Sequence, residues 1–182
     1  MKKTVKDIDV SEKRVLVRVD FNVPLEDGRI LERAGDKISL PVDCLIVKNE
    51  IKTDSERRVV SVDEIPPDWI IADIGPKTID RFKAKLNSAE MIVWNGPPGV
   101  FEKEPFSKGT MELAHELAGL DAATIVGGGD TGAAVTQAGD TDKMAHVSTG
   151  GGAFLEFLEG KELPGIAALE DKYTQRGGKI GL

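Results

Sequence analysis

Two glycine-rich corners set the tightest limits on how this chain folds. Ala123-Thr-Ile-Val-Gly-Gly-Gly-Asp-Thr131 and His146-Val-Ser-Thr-Gly-Gly-Gly-Ala153 each run from a β-branched or apolar stretch straight into a helix-like one. A strand that turns within a few glycines into a helix is the repeating unit of a sheet flanked by helices. Glycine also permits backbone angles that let several amide N–H groups converge on an anion, at a helix end carrying roughly +0.5 of an elementary charge. Glycine triplets serve plain tight turning as well, and Thr131 is equally a candidate N-cap. Asp130 shifts the balance, because a carboxylate at that point suits Mg²⁺, which takes carboxylate, water and phosphate oxygens. Gly128, Gly129, Asp130 and Thr131 are therefore the candidate phosphate-and-metal corner, and Gly150, Gly151 and Gly152 a second anion seat.

The rest of the pattern alternates strand and helix. Lys13 to Asn22 alternates β-branched with charged residues and predicts a strand ending in a loop at Asn22-Val-Pro24. After a turn at Asp27-Gly28, Leu31 to Gly35 is too short for a full helix and breaks the pattern. Further strands are predicted at about Ile38 to Val47, at Met91 to Asn95, at Ala123 to Val126 and at His146 to Ser148; between the first two lie a polar stretch with the charged run Lys52 to Arg58, then Val59-Val-Ser-Val62, the Pro66-Pro67 break and a short apolar run at Trp69 to Ile74. Helical spacing covers Lys77 to Leu86, Ser107 to Gly119, Thr131 to Ala138 and Ala153 to Leu158. The expected fold class is α/β: an open, mainly parallel, Rossmann-like sheet flanked by helices. Ligands of such sheets gather at the carboxyl ends of the strands, where both corners and Asn95-Gly-Pro-Pro fall.

With 182 residues the chain is long enough to bury a real core, on the order of 70% of its unfolded surface. A net charge of −7 speaks against a nucleic-acid or anionic-membrane surface, so a phosphate would be drawn by local dipoles and metal. The single cysteine, Cys44, sits in an apolar run and reads as a small core residue. No His/Cys grouping has zinc-site spacing. His115 reads as exposed, His146 as a core histidine, and Trp69 and Trp94 as packing residues. No apolar run approaches roughly 18 residues and no leader pattern follows Met1-Lys-Lys-Thr, which predicts a soluble, cytoplasmic protein. Tyr173 to Leu182 has no periodicity and predicts an extended tail.

Six segments together carry a resemblance: Val17-Arg-Val-Asp-Phe-Asn-Val-Pro24, Leu40-Pro-Val-Asp43, Asp73-Ile-Gly-Pro76, Val93-Trp-Asn-Gly-Pro-Pro-Gly-Val-Phe-Glu102, Gly127-Gly-Gly-Asp-Thr131 and Ser148-Thr-Gly-Gly-Gly-Ala153. In this order, with Leu155 to Gly165 following, the chain closely resembles phosphoglycerate kinase. That family has two α/β domains, one binding 3-phosphoglycerate and one binding MgATP or MgADP.

The resemblance implies a domain layout of residues 1–30 as the start of the substrate domain, 31–172 as a shortened nucleotide-binding domain, and 173–182 as a tail. It implies that Asp20 and Asn22 contact the phosphoglycerate, although Asp20 by pattern alone is also a plain turn residue. It places Glu102 at the nucleotide ribose, Asn95, Gly96 and Pro97 along the cleft, and Gly128, Gly129, Asp130 and Thr131 at the phosphates and Mg²⁺. Gly150, Gly151 and Gly152 then precede a helix facing the phosphoryl group in transfer. Nothing in the chain matches the family's His-Leu-Gly-Arg-Pro segment, its other substrate arginines, or its Gly-Gly-Ala-Lys-Val segment. Two readings stay open: a phosphotransferase with impaired or lost turnover, and a catalytically inactive nucleotide- or anion-binding fragment or structural remnant, able to self-associate through uncovered sheet edges.

Overall fold

The computed structural model describes residues 15–18, 38–158, 160–164 and 167. The core is a four-stranded parallel sheet built from β1 (Val15–Arg18), β5 (Met91–Asn95), β6 (Ala123–Gly127) and β7 (His146–Ser148), in that spatial order. Between them in sequence lie β2 (Asp43–Lys48), β3 (Arg57–Ser61) and β4 (Trp69–Ile74). The helices are α1 (Pro76–Leu86), α2 (Lys108–Gly119), α3 (Gly129–Ala138) and α4 (Gly151–Leu158).

Burial on both faces explains why β5 is an unbroken apolar run. Alternate residues point to opposite layers, as a strand's two-residue period requires. Ile92 and Trp94 join Val126 under a layer formed by Ile79 and Leu86 of α1, Leu113 and Leu117 of α2, and Val135 of α3. Val93 and Ile125 face the other way, onto Phe154 of α4. Burying each large apolar side chain stabilises by roughly 1.5–3 kcal/mol, so this two-sided layer fixes both the plane of the sheet and the helices above it.

The expected parallel α/β architecture is present, with a second sheet beside it that strand–helix alternation does not reveal. Here β3, β2 and β4 form an antiparallel sheet in that order, with Leu45 opposite Val59 and Cys44 opposite Val60. The predicted strand from about Ile38 begins only at Asp43, and Arg57 and Arg58, read as part of a charged polar run, are strand residues. The two sheets are joined by the loop after β5: Val100 N–H donates to Ala72 O at 2.9 Å, and Phe106, fully buried, packs with Val47 and Ala72. Cys44 is buried as expected, whereas His146 is exposed and not a core histidine, because it opens the edge strand β7.

β1 lies alongside β5 in parallel, with Val15 opposite Met91 and Arg18 opposite Trp94. Both strands therefore run toward the same end of the sheet. The segments 19–37 and 168–182 lie outside the described residues, and with them Asp20, Asn22, the interrupted stretch at Leu31 to Gly35, and the tail.

Candidate functional site: an anion seat at the glycine corners

Every helix begins with backbone N–H groups that have no partner within the helix. Two of the helices here fill that end with a carboxylate from a strand. At α1, Gly75 offers no side chain, and Asp43 of β2 does the work: Oδ2 accepts from Lys77 N at 3.1 Å, Oδ1 from Thr78 N at 2.8 Å and from Thr78 Oγ1 at 2.7 Å. Burial works to raise the Asp43 pKa, but the Thr78 and Lys77 hydrogen bonds and the Lys77 charge outweigh it and hold it below the usual range. At α2, Asp73 of β4 accepts from Gly109 N at 2.7 Å and from Ile74 N at 2.8 Å. Burial pushes the Asp73 carboxyl up to about 6 against those two bonds, with the Glu112 charge adding to the rise.

The glycine corners differ. The cap of α3 is Gly128, at φ 97°, and it makes no side-chain cap bond. Only glycine takes that angle without strain. Gly128 N–H donates to Ser148 O at 2.9 Å, tying the first corner to the strand that leads into the second. A Cβ built on Gly151, the first residue of α4, would stand 3.0 Å from the Gly128 Cα. The two corners are thus in contact, and their helices start side by side at the carboxyl edge of the sheet. Asn95, at the end of β5, sits with them: its Nδ2 lies 3.5 Å from where a Cβ on Gly128 would be, and 3.9 Å from one on Gly151.

Asp130 is exposed in the first turn of α3, and Gly129, Gly150 and Gly152 are exposed around it. Thr131 is 1% exposed, and its Oγ1 accepts from Gly96 N at 2.7 Å. Pro97 is half-buried beside Gly96. Glu102 is exposed and stands apart from the corners: its neighbour Phe101 offers a carbonyl to Gln137 Nε2 at 3.4 Å, and Gln137 is eight residues, about 12 Å, along α3 from Gly129. The structure therefore brings Asn95, Gly96, Gly128, Gly129, Asp130, Thr131, Gly150, Gly151 and Gly152 together, and puts Glu102 along the flank of α3. Sequence reasoning missed Asp43 and Asp73. No local signal marks them, because each caps a helix that begins more than thirty residues farther along the chain.

Among the described residues no group of three or more His, Cys, Asp or Glu is placed to share a metal. A divalent cation here would rest on Asp130 alone among the protein carboxylates, and complete its shell with ligand oxygens and water, the habit of Mg²⁺. Asp130, exposed and not engaged in capping, fits that role.

Residues 29–161 match the model of the family described as phosphoglycerate kinase. The chain belongs to the phosphoglycerate kinase family. Among its relatives, a phosphoglycerate kinase of Chloroflexus aurantiacus is 54% identical over 143 residues, 77% of this chain and 36% of that protein. One from Staphylococcus saprophyticus is 54% identical over 156 residues, covering 85% and 38%. The solved structure of phosphoglycerate kinase from Coxiella burnetii superposes with a TM-score of 0.71 at 45% identity, over 77% of this chain and 37% of that one. That from Pyrococcus horikoshii OT3 gives 0.69 at 35% identity, over 80% and 36%. The chain thus spans little more than a third of the length of these phosphoglycerate kinases. Among the described residues, no helix is long and apolar enough to cross a membrane.

Proposed function

We propose that the paired corners bind a magnesium nucleotide, ATP or ADP, and that the phosphoryl transfer to 3-phosphoglycerate known from phosphoglycerate kinases is impaired or lost in this shortened chain. The observation that carries the reading is the contact between Gly128 and Gly151, which sets the amino ends of α3 and α4 side by side, α3 without a side-chain cap, while the carboxylates of Asp43 and Asp73 fill the starts of α1 and α2. Two adjacent amide-rich ends suit an anion with more than one phosphate. Asp130 would hold Mg²⁺, Asn95, Gly96 and Pro97 would line the cleft, Thr131 would complete the phosphate corner, and Glu102 would meet the ribose farther along α3.

The acceptor in this chemistry is a carboxylate oxygen, already deprotonated, so the protein's task is positioning and charge neutralisation, not proton removal. Gly150, Gly151 and Gly152 would serve that task at the transferring phosphoryl group. The segments absent from this chain carry the family's other cations, and one arginine supplied for that purpose is worth about 10³–10⁵ in rate in other phosphoryl-transfer enzymes. Asp20 and Asn22 are the remaining residues assigned to the phosphoglycerate. In this reading residues 1–30 are the start of a substrate domain, 31–172 a shortened nucleotide-binding domain and 173–182 a tail, in a protein of the cytoplasm. The pairing of β1 with β5 ties the first of these into the sheet of the second.

A second reading, an inactive fragment that self-associates, draws support from the short span relative to the family and from Val59 and Ile71, 50% and 54% exposed on the edge strands of the antiparallel sheet. A coupled phosphotransferase assay run beside a calorimetric titration with MgADP tests the proposal. Saturable MgADP binding with turnover far below that of a full-length phosphoglycerate kinase is the expected result. Absence of MgADP binding refutes it in favour of the fragment, and full-length turnover refutes the impairment.

A further inference from the structure

Gly96, the residue that follows Asn95, is held at both of its backbone polar groups. Its N–H donates to Thr131 Oγ1 at 2.7 Å, and its carbonyl accepts from Trp94 Nε1 at 2.9 Å. The two holders come from different layers: Thr131 is buried in the first turn of α3, and Trp94 is a core residue of β5, 2% exposed. Gly96 itself has φ 88°, so the chain turns there through the left-handed region. Its position decides where the preceding Asn95 side chain is presented. That side chain lies against both corners, its Nδ2 within reach of the Cβ positions of Gly128 and Gly151.

We propose that Thr131 and Trp94 are positioning residues: together they clamp the Gly96 peptide and so aim the Asn95 amide into the seat between the two glycine corners. This rests on the reading of those corners as an anion seat. It gives Thr131 a task that requires no contact with the ligand, and gives Trp94 one beyond filling the core. A turn in the left-handed region has no intrinsic reason to hold one orientation over a neighbouring one, whereas a turn bonded at both its donor and its acceptor does. The clamp would thus set Asn95 before a ligand arrives, and binding would not have to bear that ordering.

The test uses the full chain with three variants: Thr131→Val, which keeps shape and removes the acceptor, Thr131→Ser, which keeps it, and Trp94→Phe, which keeps an aromatic ring and removes the indole donor. Two quantities are read for each: the side-chain amide resonances of Asn95 and the exchange rate of the Gly96 amide in the ligand-free protein, and the affinity for MgADP. With the clamp, Thr131→Val and Trp94→Phe shift or average the Asn95 resonances, Thr131→Val speeds Gly96 exchange, and each weakens MgADP about fivefold, the value of one hydrogen bond. Thr131→Ser, which keeps the acceptor, retains the parent's Asn95 resonances and Gly96 exchange rate. If Thr131→Val and Trp94→Phe lower only the unfolding midpoint, leaving the Asn95 resonances and MgADP affinity as in the parent, the clamp is wrong and both residues are merely structural. If the parent itself binds no MgADP, the anion-seat reading fails, and the ligand-free resonances alone then show whether Gly96 is clamped.

Discussion

A Cβ placed on Gly151 would stand 3.0 Å from the Cα of Gly128, a backbone atom that cannot swing aside as a side chain can. That contact sets the separation of the two helix starts. Gly151→Ala should therefore force the two helix starts apart, lowering the unfolding free energy by about 1–3 kcal/mol through overpacking and lowering the stabilisation conferred by MgADP as well. Denaturant titrations with and without MgADP read both quantities from one protein.

A different contact holds the second corner from beneath. A Cβ on Gly127 would meet the Phe154 ring at 2.2 Å, so the ring that covers Val93 and Ile125 lies directly on the end of β6. Gly127→Ala should cost about 1–3 kcal/mol by overpacking. Adding Phe154→Leu should return part of that loss, and a double-mutant cycle would show a coupling of opposite sign to the single Gly127→Ala effect. Strict additivity would mean that the ring does not bear on Gly127.

Asp73 gives the fold an unusual pH response. Its folded pKa, about 6, lies above the ordinary 3.8, so the folded chain binds the proton more tightly than the unfolded one. Its favourable contribution is full below about pH 4 and is lost as pH rises from about 4 to about 6, a span worth about 3 kcal/mol. Asp43 and Asp140 have the opposite sign. The Lys143 bond, opposed by burial and joined by the His115 bond, holds Asp140 below its usual value. The stability from these two is present above about pH 4 and is lost as pH falls through their lowered values. Unfolding free energy measured from pH 3 to 7 should thus lose its downward slope between 4 and 6 in Asp73→Asn, and keep the fall at the acid end.

The carboxylate plugs make a further prediction. Asp43→Ala strips α1 of the acceptor for Lys77 N and Thr78 N and leaves the buried Thr78 hydroxyl with only the backbone of Val42 and Asp43 as partners. A lost helix cap costs about 0.5–2 kcal/mol. The upper half of that range is expected, because Thr78 is fully buried. MgADP-dependent stabilisation should be unchanged, since the amino end of α1 is seated on Asp43 of the antiparallel sheet and makes none of the contacts that join the corners.

What could be read from the sequence was local. Gly127-Gly-Gly-Asp announces a buried strand turning into a helix, because strand, turn and helix start lie within ten residues and each has its own composition, and Val93-Trp-Asn-Gly announces the buried strand and turn beside it. The antiparallel sheet was hidden for the converse reason. Arg57-Arg58-Val59-Val60 pairs with residues 44–47 through backbone bonds, and as an edge strand with residues 57–59 exposed it shows no apolar alternation. Arg58 lies 4.4 Å over the Trp69 ring, a contact between residues eleven apart whose strands do not even neighbour each other. Asp43 and Asp73 were illegible as caps, since their helices begin more than thirty residues later along the chain. His115 reads alone as exposed, and it is, yet its Nδ1 stands 2.6 Å from buried Asp140 across two elements. The candidate site shows the same division: the glycines were evident, and the buried tie from Thr131 to Gly96 was not.

In the proposed function the two corners act as one seat for a magnesium-bound polyphosphate, with Asp130 as its protein carboxylate. Thermal unfolding of the parent chain and of Asp130→Ala, each with ADP alone and with ADP plus Mg²⁺, tests this directly. The parent should gain stability with MgADP, about 2.7 kcal/mol at one hundred times the dissociation constant, and gain less with ADP alone, while Asp130→Ala should lose the Mg²⁺-dependent part. Equal midpoints in all four parent and variant conditions at millimolar ligand would contradict it.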